Sequence, residues 1–522
     1  MTRGNTLNLA WTADNGDGTY RNPVLHADWS DPDAIRVGDD FYMTASSFNR
    51  VPGLPILHSR DLVNWTLIGH ALSRLAPEED FGTPRHGCGV WAPALRHHAG
   101  RFWIVYPDPD RGLFVTSTED PAGEWTRPHL LKGGRGLIDP CPLWASDGTA
   151  YLVHGWAKSR AGINNRLTVH RMNDDATALL DEDAVVIDGD ALPGYRTLEG
   201  PKFYERDGWY WIFAPAGGVT DGWQSAFRSR DPLGPYEDRI VLAQGGTDVN
   251  GPHQGAWVDT ADGTDWFLHF QDKGPFGRIV HLQPMRWGDD GWPEIGDKGE
   301  PVATHPKPRD GEPVAAPVSS DDFAEGMGLQ WTWQANPRPD WVLPGPGLRL
   351  ACVPTDATDL RHLPNVLGQH LPGDHFRATT TLRLTDAPPG VWAGLTILGD
   401  AYAWVGLSHT PGDVVLSCRA AEPGTPERIS GHAQPIAIDS HRCSETVALG
   451  VEVEPTGRCR FLAGRPGEPL APIGEPFQAT AGRWVGAALG LFAAVAGTDD
   501  RGGVAEFGPV SVIGIDDSAA HG

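Results

Sequence analysis

Cysteine is sparse in this chain: Cys88, Cys141, Cys352, Cys418, Cys443 and Cys459 are the only six among 522 residues. None forms a Cys-x-x-Cys pair, and their scatter excludes the common zinc-site and disulfide-framework patterns. Reduced, partly buried thiols are expected. Basic residues are also in deficit, with 42 Lys and Arg against 67 Asp and Glu and a formal net charge of −25. A surface that negative repels nucleic acid, anionic membranes and polyanionic ligands. Long apolar runs are missing too. The longest, around Gly486 to Gly497, is too short and too rich in small residues to span a bilayer. The polar stretch Met1 to Tyr20 lacks the apolar core of a signal peptide. These absences predict a soluble, cytoplasmic protein with no nucleic-acid or membrane partner, acting on a ligand small enough to be imported.

Helical periodicity is also absent from Tyr20 to Gly299, where short apolar strands alternate with Gly, Pro, Asp and Asn turns. What is abundant is aromatic and glycine content, with 21 Trp and 65 Gly. A short aromatic-then-aliphatic strand recurs five times, marked by Tyr42, Trp103, Tyr151, Trp211 and Phe267. The interval is roughly 50 to 60 residues, the length of one four-stranded propeller blade. A turn such as Asp147-Gly148 or Asp207-Gly208 precedes each mark. A second element, a Ser-rich strand end leading to an anchoring aromatic, follows three of them and ends at Trp65, Trp125 and Tyr236. The pattern predicts an all-β chain, with a five-bladed β-propeller over residues 1–299. A Pro-rich, semi-rigid connector would follow over 300–320. From 321 to 522 the alternation continues without the marks, as in Val391-Trp392-Ala393-Gly394-Leu395, and predicts a β-sandwich of jelly-roll type.

Three carboxylates share one offset in the repeat. Asp31 stands eleven residues ahead of its mark, and Asp139 and Glu199 stand twelve ahead of theirs. Trp91 holds the same offset in the second repeat, and His253 precedes the fifth mark by fourteen. Equivalent positions in propeller blades converge on the central channel. Each acid is followed at once or after one residue by Pro, which sets the direction of the chain entering a strand. Glycoside hydrolysis needs one carboxylic acid to protonate the leaving oxygen and a second carboxylate to activate water or attack the sugar. A third nearby would raise the pKa of the acid by like-charge repulsion. Two Asp and one Glu meet that need, with the longer Glu suited to proton donation. Taken singly, any one Asp-Pro is a turn or strand-start feature.

The chain resembles glycoside hydrolase family 43. The resemblance rests on Asn22-Pro23-Val24-Leu25, Ser30-Asp31-Pro32-Asp33, Gly89-Val90-Trp91-Ala92-Pro93, Ile138-Asp139-Pro140, Glu199-Gly200-Pro201-Lys202, Asn250-Gly251-Pro252-His253-Gln254-Gly255 and Gly277-Arg278. Residues from 321 onward resemble the concanavalin-like sandwich of many β-xylosidases in that family. The resemblance implies an inverting mechanism, with Asp31 as general base, Glu199 as general acid and Asp139 as the modulator of the acid's pKa. It also implies that Arg278 binds sugar hydroxyls. A calcium or sodium ion, held through waters near His253, is a further implication, although no Asp-rich loop of calcium-binding spacing is present. No cofactor is required for the chemistry.

Trp91 is expected to wall the sugar pocket or to fill a core, and Phe48 to line the same pocket. His26, His97 and His98 read as surface or loop residues. The expected activity is exo-acting release of xylose from the non-reducing ends of short xylo-oligosaccharides. An α-L-arabinofuranosidase, or one site cleaving both pentosides, remains the alternative. An endo-arabinanase fits less well, because an appended sandwich closes a groove. A retaining fructosidase is disfavoured by the lack of a Trp-Met-Asn-Asp-Pro motif. A sugar-binding propeller without catalysis has no use for three acids at one offset. Oligomeric state stays open, and a homo-oligomer is compatible with the sequence.

Overall fold

The structure is a computed structural model that describes residues 9–431, 434–435, 445–497 and 502–515; Cys443 lies outside the described residues. Five four-stranded antiparallel sheets follow one another from Asp33 to Ile295, each a meander of sequence neighbours. Their first strands are Asp33–Val37, Ala94–His98, Leu137–Trp144, Lys202–Arg206 and His253–Asp259. These strands bring neighbouring blades together around the axis, and the last blade contacts the first. The architecture is the five-bladed propeller followed by a sandwich that the repeat predicted.

All five aromatic marks fall on the second strand of a blade. Tyr42 pairs across from Ile35, Trp103 from Arg96, Tyr151 from Leu143, Trp211 from Tyr204 and Phe267 from Trp257. Their function is packing between blades. Tyr42 meets Phe102 of the next blade edge-on at 4.9 Å, and Tyr151 meets Tyr210 at 6.1 Å. Such ring pairs bury large areas in favoured geometry. The propeller core is consequently a series of seams between sheets. The second repeated element is the turn from third to fourth strand. In the first blade the Asp61 carboxylate accepts from the N–H groups of Val63 and Asn64 and turns the chain so that Trp65 is fully buried.

A buried ion cluster ties three blades together beneath the axial rim. Asp33, with no exposure, accepts from Arg96 Nη1 at 2.8 Å and lies 3.7 Å from Lys202 Nζ. Lys202 also donates to the Pro93 carbonyl at 2.9 Å. Removing one member of such a cluster leaves an uncompensated buried charge.

Among the described residues the sandwich has a nine-stranded and an eight-stranded sheet facing each other across one apolar core that includes Leu395, Val405, Leu449, Phe461 and Leu491. Residues 300–320 behave differently from a free spacer, because they run back over the first blade. Thr304–Pro306 pairs with Thr19–Arg21, Lys307 Nζ meets Asp14 at 2.7 Å, and Ala315 N donates to Asn64 Oδ1. Val51 and Trp333 exchange two backbone hydrogen bonds between blade and sandwich. Propeller and sandwich are thus joined along a packed seam.

His26 is a correction. It is 5% exposed, wedged between Trp11 and Phe276, because the N-terminal segment and the Lys273–Arg278 turn cover the strand entry that the sequence presents as open loop. His97 is exposed as expected, and half-buried His98 stacks on Trp144 at 4.7 Å. The five described cysteines are free, and four of them are buried. Among the described residues no helix is long and apolar enough to cross a membrane. The longest helical segment among those residues is a single turn, Lys158–Ala161.

Candidate active site

One pocket at the propeller axis, of about 250 Å³, is lined by Asp31, Asp139, Glu199, Trp91, Phe48, Arg278 and His253 together. All seven residues singled out by sequence meet there. The backbone at the rim explains how the three acids are presented. Asp31, Phe48, Asp139, Thr197 and Gln254 all line the pocket, and all adopt positive φ without being glycine. Such conformations cost of order 1 kcal/mol each and persist where surrounding structure over-determines them. At Asp139 the first strand breaks register between Ile138 and Cys141, which turns that side chain out of the sheet alternation and into the pocket. His253 shows a similar break before Gly255.

Asp31 is 5% exposed and fully engaged. Its Oδ2 accepts from Ser30 Oγ at 2.7 Å and Ser46 Oγ at 2.6 Å. Arg278 Nη1 lies 2.9 Å from Oδ1 and 3.1 Å from Oδ2. These contacts hold the carboxylate in one orientation, as a group that takes a proton from a positioned water requires. Arg278 therefore does more than the sequence suggested. One arm of its fork anchors Asp31, and the side chain lies over the Phe270 ring at 4.8 Å.

Asp139 sits deeper. Its Oδ2 accepts from the Gly200 N–H at 2.8 Å, which ties it to the residue after Glu199. Glycine is required at position 200. Its φ is +60, and a Cβ would come within 2.9 Å of the Gln254 side chain. Burial, then the charge of Glu199, and more weakly Asp31, push the Asp139 carboxyl up to about 8, against the pull of the Gly200 N–H and Lys202. Asp139 thus holds its proton more tightly than an ordinary aspartate. Glu199 is the most exposed of the three, with 27% of its side chain accessible, and its Oε1 lies 3.2 Å from His253 Nε2.

The raised Asp139 group makes stability depend on pH. Between the ordinary aspartate range and about 8, the folded protein holds a proton that the unfolded chain has shed. Stability contributed there falls as pH rises and levels off above that value. Asp139→Asn removes the titration, so its Tm relative to the parent protein is expected to be higher at pH 8 than at pH 5. Melting curves that shift in parallel at both pH values contradict this origin.

The remaining walls divide by chemistry. Phe48, Trp91 and Trp484 form an aromatic side, with ring centroids 6.3 Å and 6.5 Å apart in succession. Lys158, Ser159 and Asn164, from the loop after the second strand of the third blade, supply a polar side. Trp484 belongs to the sandwich, is 44% exposed at the mouth, and has a φ of +65. Sequence reading missed it, along with Trp156, Ser46 and the Lys158 loop. No repeat marks a residue from another domain or a loop of blade-specific length. Only Ser46 carried an available signal, since Ser46-Ser47 directly precedes Phe48.

For an ion the fit is poor. Among the described residues no three His, Cys, Asp or Glu side chains gather to hold a metal. His253 Nδ1 and Gln254 Nε2 are buried without a protein partner; the amide NH2 donates and cannot ligate a cation, so the two atoms suit a water.

A pocket with two differently placed carboxylates, a third buried beside them, and aromatic walls for the apolar face of a sugar defines a propeller glycoside hydrolase. Residues 20–293 match the sequence profile of glycosyl hydrolases family 43, and residues 320–512 match the beta xylosidase C-terminal concanavalin A-like domain. A Xylanibacter ruminicola protein, provisionally named a beta-xylosidase, is 38% identical over 91% of this chain and 86% of its own length. A Bacteroides ovatus non-reducing end alpha-L-arabinofuranosidase is 31% identical over 73% of this chain and 74% of its own. The crystal structure of a xylan beta-1,4-xylosidase from Bacillus halodurans superposes with a TM-score of 0.84 at 22% identity, covering 94% of this chain and 99% of that one. The protein belongs to glycoside hydrolase family 43.

Proposed function

We propose that the protein is an exo-acting β-xylosidase that releases xylose from the non-reducing ends of short xylo-oligosaccharides with inversion. The observation that carries this reading is the walling of the pocket mouth by a second domain. A loop of the sandwich brings Trp484 into the lining, so one side of the site is blocked and the pocket suits a chain terminus. Asp31, held by Ser30, Ser46 and Arg278, takes a proton from water as that water attacks the anomeric carbon. Glu199 gives its proton to the glycosidic oxygen as the bond to the leaving sugar breaks. Asp139 holds the Gly200 N–H and keeps the backbone beside Glu199 in place. Proton exchange with solvent then resets the two catalytic groups. His253 orients Glu199, and Arg278 retains donors for a sugar hydroxyl. A structural calcium or sodium ion near His253, if one binds, is held through waters and takes no part in these steps.

The α-L-arabinofuranosidase reading is the second, favoured by the Bacteroides ovatus relative. Both substrates are pentosides, and the three acids serve either. The deciding measurement compares kcat/KM on nitrophenyl β-xyloside, nitrophenyl α-arabinofuranoside, xylobiose and arabino-oligosaccharides. Proton NMR of the first-formed sugar reads its anomeric configuration. Faster turnover of xylosides with inverted product supports the proposal. Preference for the arabinofuranoside moves the substrate to the second reading, and a retained configuration overturns the roles of Asp31 and Glu199.

A further inference from the structure

Asp28 stands three residues ahead of the base and takes no part in the steps above, yet it is 3% exposed in a carboxylate-rich protein. Its two oxygens bind the two halves of the molecule. Oδ1 accepts from the backbone N–H of Arg278 at 3.0 Å, and Oδ2 accepts from the backbone N–H of Gly486 at 2.8 Å. Arg278 is the residue whose guanidinium holds Asp31. Gly486 lies in the sandwich loop, two residues beyond Trp484.

The approach at this junction is backbone on backbone. A Cβ on Gly486 would come within 2.7 Å of the Gly277 nitrogen, and a Cβ on Gly277 would come within 2.4 Å of the Asp28 carboxyl. Ala487 N donates to the Pro275 carbonyl at 2.8 Å, and Arg50 Nη2 reaches the Gly486 carbonyl at 3.4 Å. Burial pushes the Asp28 carboxyl above the ordinary aspartate range, while Arg50 and the two N–H groups favour its charge. A buried carboxylate left without such partners is strongly unfavourable, so the two N–H bonds are made together or the junction loosens.

We propose that Asp28 is a positioning residue that sets the sandwich's Trp484 loop and the Arg278 backbone with one carboxylate, and so couples recognition of the second sugar to the placement of the base. The coupling follows from position. The terminal sugar occupies the inner end near the acids, and the sugar that leaves lies at the mouth, where exposed Trp484 stands. If the loop shifts, the Arg278 backbone loses its fixed partner, and the guanidinium on Asp31 shifts with it. The inference rests on the pentoside-cleaving reading and extends it to leaving-group selectivity.

The test uses the full chain with Asp28→Asn, Trp484→Ala, the double variant and Gly486→Ala. Asparagine keeps the size of Asp28 but turns an amide toward one of the two N–H groups and breaks one tie. Trp484→Ala is expected to raise KM for xylobiose about tenfold with kcat within about threefold of the parent. Asp28→Asn is expected to raise KM as far and also to lower kcat about tenfold, per folded molecule. Because the first change already frees the loop, adding Trp484→Ala to Asp28→Asn should raise KM by no more than about twofold further. Gly486→Ala displaces the loop while keeping the Asp28 side chain itself and should raise KM in the same way, which keeps the test open if Asp28→Asn does not fold. Calorimetric titration with xylobiose gives the same comparison of affinities without relying on turnover. Parent-like KM and kcat in Asp28→Asn or Gly486→Ala overturn the proposal, as does full multiplication of effects in the double variant. A parent protein that neither binds nor cleaves pentosides overturns the functional reading instead.

Discussion

Asp31→Asn is expected to lower xylobiose hydrolysis by about 10²- to 10⁴-fold, the range for losing a positioned general base. The amide cannot take a proton from water; its oxygen can still accept from Ser30 and Ser46, while its nitrogen faces the Arg278 guanidinium and cannot accept from it, so the change is smaller than truncation but still costs the ion pair. Asp31→Ala tests the same role less cleanly. It leaves the Arg278 guanidinium, only 12% exposed, without the carboxylate 2.9 Å away. An unpaired buried cation destabilises the fold by several kcal/mol on the usual scale, and lost folding would be read as lost catalysis. The measurement is kcat/KM on xylobiose, normalised to folded protein by circular dichroism. Activity within tenfold of the parent would remove Asp31 from the base role. The loss should not depend on the leaving group, because water activation is needed whatever departs.

Glu199→Gln should show the opposite dependence. Xylobiose has a poor leaving group that must be protonated, and its hydrolysis is expected to fall by about 10³-fold or more. A nitrophenyl pentoside leaves as a stable anion and should lose far less. A plot of log kcat/KM against leaving-group pKa, nearly flat for the parent, becomes steep for the variant. Equal losses on both substrates would mean that Glu199 is not the acid. Asp139→Asn offers a contrast, because it removes the raised group that titrates beside Glu199. It should weaken turnover of poor leaving groups through Glu199 and should also flatten the dependence of stability on pH.

These expectations show how far the residues alone carry. Asp31, Asp139 and Glu199 were legible because a propeller repeats its geometry, so a shared offset in sequence becomes a shared place at the axis. Trp91 followed from the same offset, and His253, fourteen residues ahead of its mark, from a nearby one. Arg278 and Phe48 came from motif context, and both line the pocket. The partnership between Arg278 and Asp31 was hidden, since the two lie at opposite ends of the propeller and meet only when the last blade closes on the first. The burial of His26 was hidden for a related reason. It depends on the N-terminal segment and a distant turn folding over it.

What the sequence by itself determined is the blade pattern, the sandwich and the convergence of the three acids, because these follow from local periodicity and its repetition. Only the tertiary structure decided that Trp484 walls the pocket and that the Pro-rich segment lies along the first blade. It also decided that Asp139 is buried, where loss of water raises its carboxyl above the ordinary aspartate range. Those features depend on contacts between residues far apart in the chain, and on the dielectric and charge that surround a group once water is gone. No local pattern encodes either.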